Sequence, residues 1–330
     1  MDILFIGGTS FVGRHMAEAA IISGHRVTLF HRGQTATPAS FPDAEHVLGD
    51  RDADLHLLIG RAWDAVIDVI GYVPRHVRET VGALGHAVGL YCYVSSVSAY
   101  RTAGVERLCE GSPLFDASDL ADPDTEIVDD KSYGPLEALC EHEALKGLPG
   151  RVLIVRPTYV IGPHDVTDRF TYWVRRAAAG GSMLVAGPAS APIQLIDARD
   201  LASFTIRLIE NGSVGPFNVV GPAAPITWAE MLVTCIGVAG SDATPVWVDP
   251  GFLRDYGVSV TSEIPFWRPS DERALFRCDP VKSAAAGLRY RTLEDSVRDV
   301  RAWDIARGEP ALAHAVSVKR EAELLAAWRA

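Results

Sequence analysis

Residues 3–13 read Ile-Leu-Phe-Ile-Gly-Gly-Thr-Ser-Phe-Val-Gly, and no other stretch of the chain restricts its fold as strongly. The apolar run predicts a buried strand, the paired glycines a sharp turn, and Val12–Ser23 a helix opening directly after it. Such a turn aims backbone N–H groups at one spot, with the partial positive charge of the helix N-terminus behind them. Gly7, Thr9, Ser10, Phe11, Val12 and Gly13 are therefore predicted to cradle a pyrophosphate, on a G-x-x-S-x-x-G spacing that has Ser10 where a middle glycine is common.

The pattern continues in kind. Further strands are predicted at Arg26–Phe30, His46–Leu48, Ala65–Ile70, Leu90–Ser95 and Val152–Val155, with helices at Asp52–Leu58, Pro74–Leu84 and Gly134–Leu145. Apolar strands alternating with helices predict an α/β fold, a Rossmann-type doubly wound parallel sheet covered on both faces. Beyond Pro157 prolines and aromatics become denser. Residues 1–157 are expected to form the dinucleotide-binding domain and 158–330 a smaller, mainly substrate-binding C-terminal part. The stretch 198–220, a helix followed by a strand, is expected to return to the first domain.

With 31 Lys plus Arg against 42 Asp plus Glu, the net charge of −11 argues against a nucleic-acid partner. Arginine far outnumbers lysine, which suggests a bacterial genome. Five scattered cysteines without a CxxC predict neither a disulfide framework nor a zinc site, and a cytoplasmic location is the expectation. No apolar run reaches the roughly 20 residues needed to span a bilayer, so no membrane partner is expected.

Cofactor choice is read at the end of the second strand, Leu29-Phe30-His31-Arg32-Gly33. A carboxylate here would accept from the adenosine ribose of NAD(H). Arg32 instead suits a 2′-phosphate, so NADP(H) is preferred, with NAD(H) as the alternative.

Two clusters carry the chemistry: Tyr91-Cys-Tyr-Val-Ser95-Ser96-Val-Ser98-Ala-Tyr100 and Ser132-Tyr133-Gly-Pro-Leu-Glu137. With them the sequence resembles the short-chain dehydrogenase/reductase superfamily, in its extended, atypical epimerase/dehydratase-like branch. The resemblance runs through the GGTSFVG fingerprint, Asp50-Arg51, the Ser-Ser strand, Ser-Tyr-Gly, Val-Arg156-Pro157 and Gln194-Leu-Ile-Asp197-Ala-Arg-Asp200-Leu-Ala. It implies cofactor contacts from Asp50 and Arg51 and from the strand ends at Ile70, Gly71, Ser95 and Pro157. It also implies that Ser96 and Tyr133 bind the substrate oxygen, Tyr133 giving or taking the proton.

The resemblance breaks at one position. Where the family has a lysine four residues after the tyrosine, this chain has Glu137. A carboxylate there raises the phenol pKa from about 10 and keeps Tyr133 a donor. That favours an NADPH-dependent reductase of a small carbonyl or imine, with Ser96, Tyr133 and Glu137 as catalytic residues. The alternatives are a sugar-nucleotide epimerase or dehydratase and a non-catalytic NADP(H)-binding regulatory protein. RNA binding, suggested by a likeness of the fingerprint to chloroplast stem-loop-binding proteins, is opposed by the acidity.

Tyr72, Ser98, Tyr159, Arg169 and Trp173 are candidate contacts for a small-molecule substrate. His164, Asp165 and Asp168 have no second cluster to support a metal site, and none is expected. An apolar side on Glu321–Trp328 would serve internal packing or a homodimer equally. Glu110–Asp130 holds eight acidic residues and no Lys or Arg, which makes it a candidate cover for the cleft, uncomfortable for a highly anionic substrate.

Overall fold

The computed structural model describes residues 1–35, 38–259, 263–268 and 270–329. Its first part follows the alternating pattern: β1 (Asp2–Ile6), α1 (Phe11–Ile22), β2 (Arg26–His31), β3 (Glu45–Leu48), β4 (Trp63–Asp68), α2 (Pro74–Leu84), β5 (Val88–Val94), α3 (Tyr133–Gly147) and β6 (Val152–Pro157). There follow β7 (Tyr159–Ile161), α4 (Arg169–Ala178), β8 (Ser182–Ala186), β9 (Pro192–Ile193), β10 (Leu195–Asp197), α5 (Ala198–Glu210) and β11 (Gly215–Val219). The chain ends with β12 (Ile226–Thr227), α6 (Trp228–Ala239), β13 (Thr244–Val248), α7 (Pro250–Asp255), α8 (Val281–Ala285), α9 (Leu293–Ala306) and α10 (Val318–Arg329).

Seven parallel strands make the central sheet, in the order β11-β6-β5-β4-β1-β2-β3. The order reverses direction between β1 and β4, and a parallel sheet of this kind opens its crevice at the carboxyl ends of the strands at that point. The Rossmann-type doubly wound fold expected from the sequence is thus the fold observed. One sheet face packs Ile3, Phe5 and Leu29 against α1 and α5 through Met16, Ala20, Leu201 and Phe204. The other packs Leu4, Ile6 and Val66 against α2 and α3 through Val77, Leu84, Cys140 and Ala144. β11 extends the sheet beside β6 after an excursion through β7–β10.

The remaining chain builds its own core around Phe170, Trp173, Met183, Trp228, Met231 and Ile264. Among the described residues no helix is long and apolar enough to cross a membrane. One predicted helix fails. Asp52–Leu58 contains only a short helical turn at Leu55–Leu58, because the Asp54 carboxylate turns back to accept from the Asp50 amide at 2.8 Å instead of letting a helix start there.

Candidate active site

The dinucleotide end is made of backbone. Gly7 and Gly8 take φ of +97° and +88°, values that side chains resist. A Cβ on Gly7 would lie 2.9 Å from Val69 Cγ2, and one on Gly13 2.9 Å from the Gly8 Cα. Ser10 caps α1 without any side-chain cap bond, so the first-turn amides are not satisfied by it. This tight glycine cradle fits a pyrophosphate. Thr9 Oγ1 lies 2.6 Å from Thr35 Oγ1 and ties the turn to the loop after β2.

At the end of β2, Arg32 is exposed and its Nη1 stands 4.0 Å from Asp50 Oδ2. Arg51, expected on the cofactor, is a correction. Its guanidinium is buried, with Nη1 and Nη2 donating to Asp68 Oδ1 and Oδ2 at 3.0 and 3.1 Å and Nη2 also to Thr80. A buried acid at the end of β4 needs a cation, and Arg51 is the one in reach. Ile70 donates its amide to the same Asp68, so the Ile70-Gly71 strand end is held by that pair.

The cleft itself encloses about 890 Å³ and is lined by both parts of the chain. Ser96 stands just past β5, its Oγ accepting from the Ser98 amide at 3.1 Å. Gly134 lets α3 start against that turn, since a Cβ there would sit 2.3 Å from the Ser98 carbonyl oxygen. That contact sets Tyr133, the first residue of α3, in the same cleft lining as Ser96. Burial first, and then Glu137, hold the Tyr133 phenol well above its ordinary pKa.

Glu137 follows one turn later and is only 2% exposed. Tyr93 lies 2.7 Å from its Oε2, and Tyr133 lines the same cleft. Burial pushes Glu137 up to about 8, against the opposing effect of the Tyr93 hydrogen bond. The sequence reading treated Glu137 as a fixed negative charge. Buried without a cation, it titrates near neutrality instead.

Ser95 turns its hydroxyl inward to Glu141 Oε1 at 2.6 Å, while Glu141 is held by Arg156. Tyr72, Ser98, Pro157, Tyr159 and Arg169 all line the cleft. Arg169 stacks over Tyr159 at 5.2 Å, and Arg268 Nε donates to the Tyr159 hydroxyl at 2.7 Å, so two guanidinium groups border the C-terminal side of the cleft.

Trp173 is a second correction. It is fully buried in the C-terminal core, edge-on to Trp228 and donating to the Pro265 carbonyl at 2.9 Å, because its side of α4 faces that core. Arg268 and Thr158 are polar cleft residues among those that lay outside the sequence reading. Arg268 carries no motif, and Thr158 lines the cleft with a buried Oγ1 that has no hydrogen-bond partner. An unpaired buried hydroxyl is a signal only the folded chain displays.

The acidic segment is a tethered wall. Arg101 holds Asp116 and Asp119, Arg75 holds Glu126, and Glu110 accepts from the Asn218 amide. Phe115 and the end of the segment, Val128–Asp130, line the cleft. Asp168 pairs with Arg307 and Asp165 accepts from Thr167, and no group of three metal-ligating side chains occurs among the described residues.

A glycine cradle at the switch point and a serine–tyrosine pair beyond β5 are the marks of an extended short-chain dehydrogenase/reductase. The particular group is also clear: the chain belongs to the NAD dependent epimerase/dehydratase family, whose model matches residues 3–221. Over 236 residues it is 27% identical to the chloroplast stem-loop binding protein of 41 kDa b of Arabidopsis thaliana, covering 66% of this chain and 58% of that one. The chain thus spans less than two thirds of that relative's length.

Among solved structures it is similar to the UDP-glucuronic acid 4-epimerase of Bacillus cereus in complex with NAD, with a TM-score of 0.68, 16% identity and 95% and 100% of the two chains covered. The Bordetella bronchiseptica enzyme WbmH in complex with NAD+ gives 0.70 and 17%, over 93% and 100% of the chains. The UDP-N-acetylglucosamine 4-epimerase of Methanobrevibacter ruminantium M1 gives 0.69 and 16%, over 93% and 98%.

Proposed function

We propose that the cleft holds a nicotinamide dinucleotide, NADP(H) ahead of NAD(H), and interconverts a hydroxyl and a carbonyl on a nucleotide-linked sugar. Gly7, Thr9, Ser10, Phe11, Val12 and Gly13 take the pyrophosphate, Arg32 and Asp50 flank the adenosine ribose, and Ile70, Gly71, Ser95 and Pro157 border the rest. The dinucleotide supplies and takes up hydride when bound. Ser96 and Tyr133 bind the substrate oxygen, and Tyr72, Ser98, Tyr159, Arg169 and Arg268 surround the substrate.

The observation that carries this reading is the cleft that gathers Ser96, Tyr133 and Glu137 in one lining, with burial pushing the Glu137 carboxyl up to about 8. Reduction of a small carbonyl or imine was favoured by the sequence because a fixed carboxylate at Glu137 makes Tyr133 a donor only. A Glu137 that gains and loses a proton near neutrality lets Tyr133 both take and return one, as an epimerase or dehydratase needs. The objection from acidity also weakens. Arg101 and Arg75 hold Asp116, Asp119 and Glu126 of the acidic segment, and Arg169 lines the cleft.

The test is fluorescence titration with NADPH and NADH, followed by a panel of nucleotide sugars read by product analysis. The expected result is tighter binding of NADPH and conversion of at least one nucleotide sugar, lost in Tyr133→Phe. Binding without conversion of any nucleotide sugar, or conversion that survives Tyr133→Phe, overturns it.

A further inference from the structure

Tyr93 stands on β5 beside α3, 1% exposed, with its hydroxyl oxygen 2.8 Å from the Gly71 carbonyl oxygen and 2.7 Å from Glu137 Oε2. A phenol has one proton and a carbonyl has none. If Glu137 were a carboxylate, Tyr93 would donate to it, and no proton would remain for the short contact with Gly71. A proton on Glu137 satisfies both contacts at once, Glu137 donating to Tyr93 and Tyr93 to Gly71. We propose that Glu137 rests as a neutral carboxylic acid, and that Tyr93 is its positioning residue, the hydroxyl proton of which turns from Gly71 to Glu137 when Glu137 ionises.

The surroundings agree. Asp68 and Glu141, the other buried acids near Glu137, are each held by an arginine, Arg51 and Arg156. The remaining titratable groups that face Glu137 are Tyr72, Tyr133, Tyr93 and Cys140, all neutral when protonated. Among the described residues no ion pair holds a carboxylate there, so burial favours the acid, in line with its upward shift to about 8.

This deepens the proposed function and rests on it for the direction of proton flow. The step runs from the ionised form: once Glu137 has released its proton to solvent, a substrate hydroxyl gives its proton to Tyr133, the Tyr133 O–H bond breaks and an O–H bond forms on the Glu137 carboxylate. The Tyr93 proton then turns back to Gly71. The reverse step returns the proton to the substrate oxygen, so an epimerisation cycle leaves the protein with no net proton gained or lost.

The test needs neither cofactor nor substrate. In the full chain labelled with [δ-¹³C]glutamate, the Glu137 resonance is assigned by its loss in Glu137→Gln and followed against pH. It is expected to titrate near 8. In Tyr93→Phe the carboxylate loses its donor, and since hydrogen bonds to charged groups outweigh neutral ones, the midpoint is expected to rise by about one pH unit. Tyr91→Phe, which removes a neighbouring hydroxyl that serves Asp68, should leave the midpoint in place. A Glu137 midpoint in the ordinary carboxylate range overturns the proposal, as does a midpoint that Tyr93→Phe does not move. Because the titration is independent of turnover, an inactive protein with the expected midpoints counts against the proposed function alone.

Discussion

Glu137 and Glu141 lie one turn apart on α3, both buried, yet one sits among hydroxyls and the other against a guanidinium. Glu141 takes hydrogen bonds from Arg156 and Ser95, and Arg156 also stacks on Tyr100 at 4.7 Å. Among the described residues, the side-chain hydrogen bond to Glu137 comes from the Tyr93 phenol. An acid buried with a cation is a fixture of the fold, whereas an acid buried without one becomes a proton store. The difference is made entirely by the neighbours, since the two residues are chemically identical.

Four changes would break or sharpen that contrast. The largest effect is expected from Arg156→Leu, which strands Glu141 as a buried charge and should cost about 3–5 kcal/mol in urea denaturation. A loss below about 1 kcal/mol would mean that Glu141 is not held as a charge by Arg156. On the other side of the contrast, Tyr133→Phe removes the proposed proton carrier and should lower turnover about 10²–10⁴-fold with little change in thermal stability.

Glu137→Gln should show its effect through pH. The folded-state pKa of Glu137 is raised from 4.5 to about 8, so between those values the folded chain keeps a proton that the unfolded chain releases. Wild-type stability should therefore fall with rising pH through that window, by up to about 1.4 kcal/mol per pH unit, relative to the glutamine variant. The two thermal midpoints should converge near pH 4.5 and below, and separate in favour of the variant by pH 8. Parallel curves across the window would place the Glu137 proton elsewhere. The smallest effect belongs to the exposed dinucleotide end: Arg32→Ala should weaken NADPH binding about tenfold and leave NADH binding unchanged. Equal losses for both dinucleotides would remove Arg32 from cofactor selection.

The parts that were legible in the sequence share a physical character. The glycine fingerprint and the order of strands and helices rest on local rules, backbone freedom and apolar period along one segment, whereas the Ser96–Tyr133 pair came from the family resemblance. Gly24, for instance, takes the φ of +79° that ends a helix before β2, as its place after Ser23 implies. Trp173 and Arg51 were misplaced for the opposite reason. Helical spacing put Trp173 on an apolar face without saying whether that face meets a cleft or a core. Arg51 was assigned by its place after a strand, while its partner Asp68 comes from the next strand.

The sequence by itself determined the class of fold, the dinucleotide cradle and the identity of the residue that replaces the family lysine. Only the tertiary structure decided what that replacement is. Whether Glu137 is a charge or an acid depends on Arg51 and Arg156 being taken by Asp68 and Glu141, and on Tyr93 having a single proton to share between Gly71 and Glu137. Those contacts join β4, β5, β6 and α3 across tens of residues, and a pKa is set by burial and charge at a point in space, which a linear chain does not yet possess.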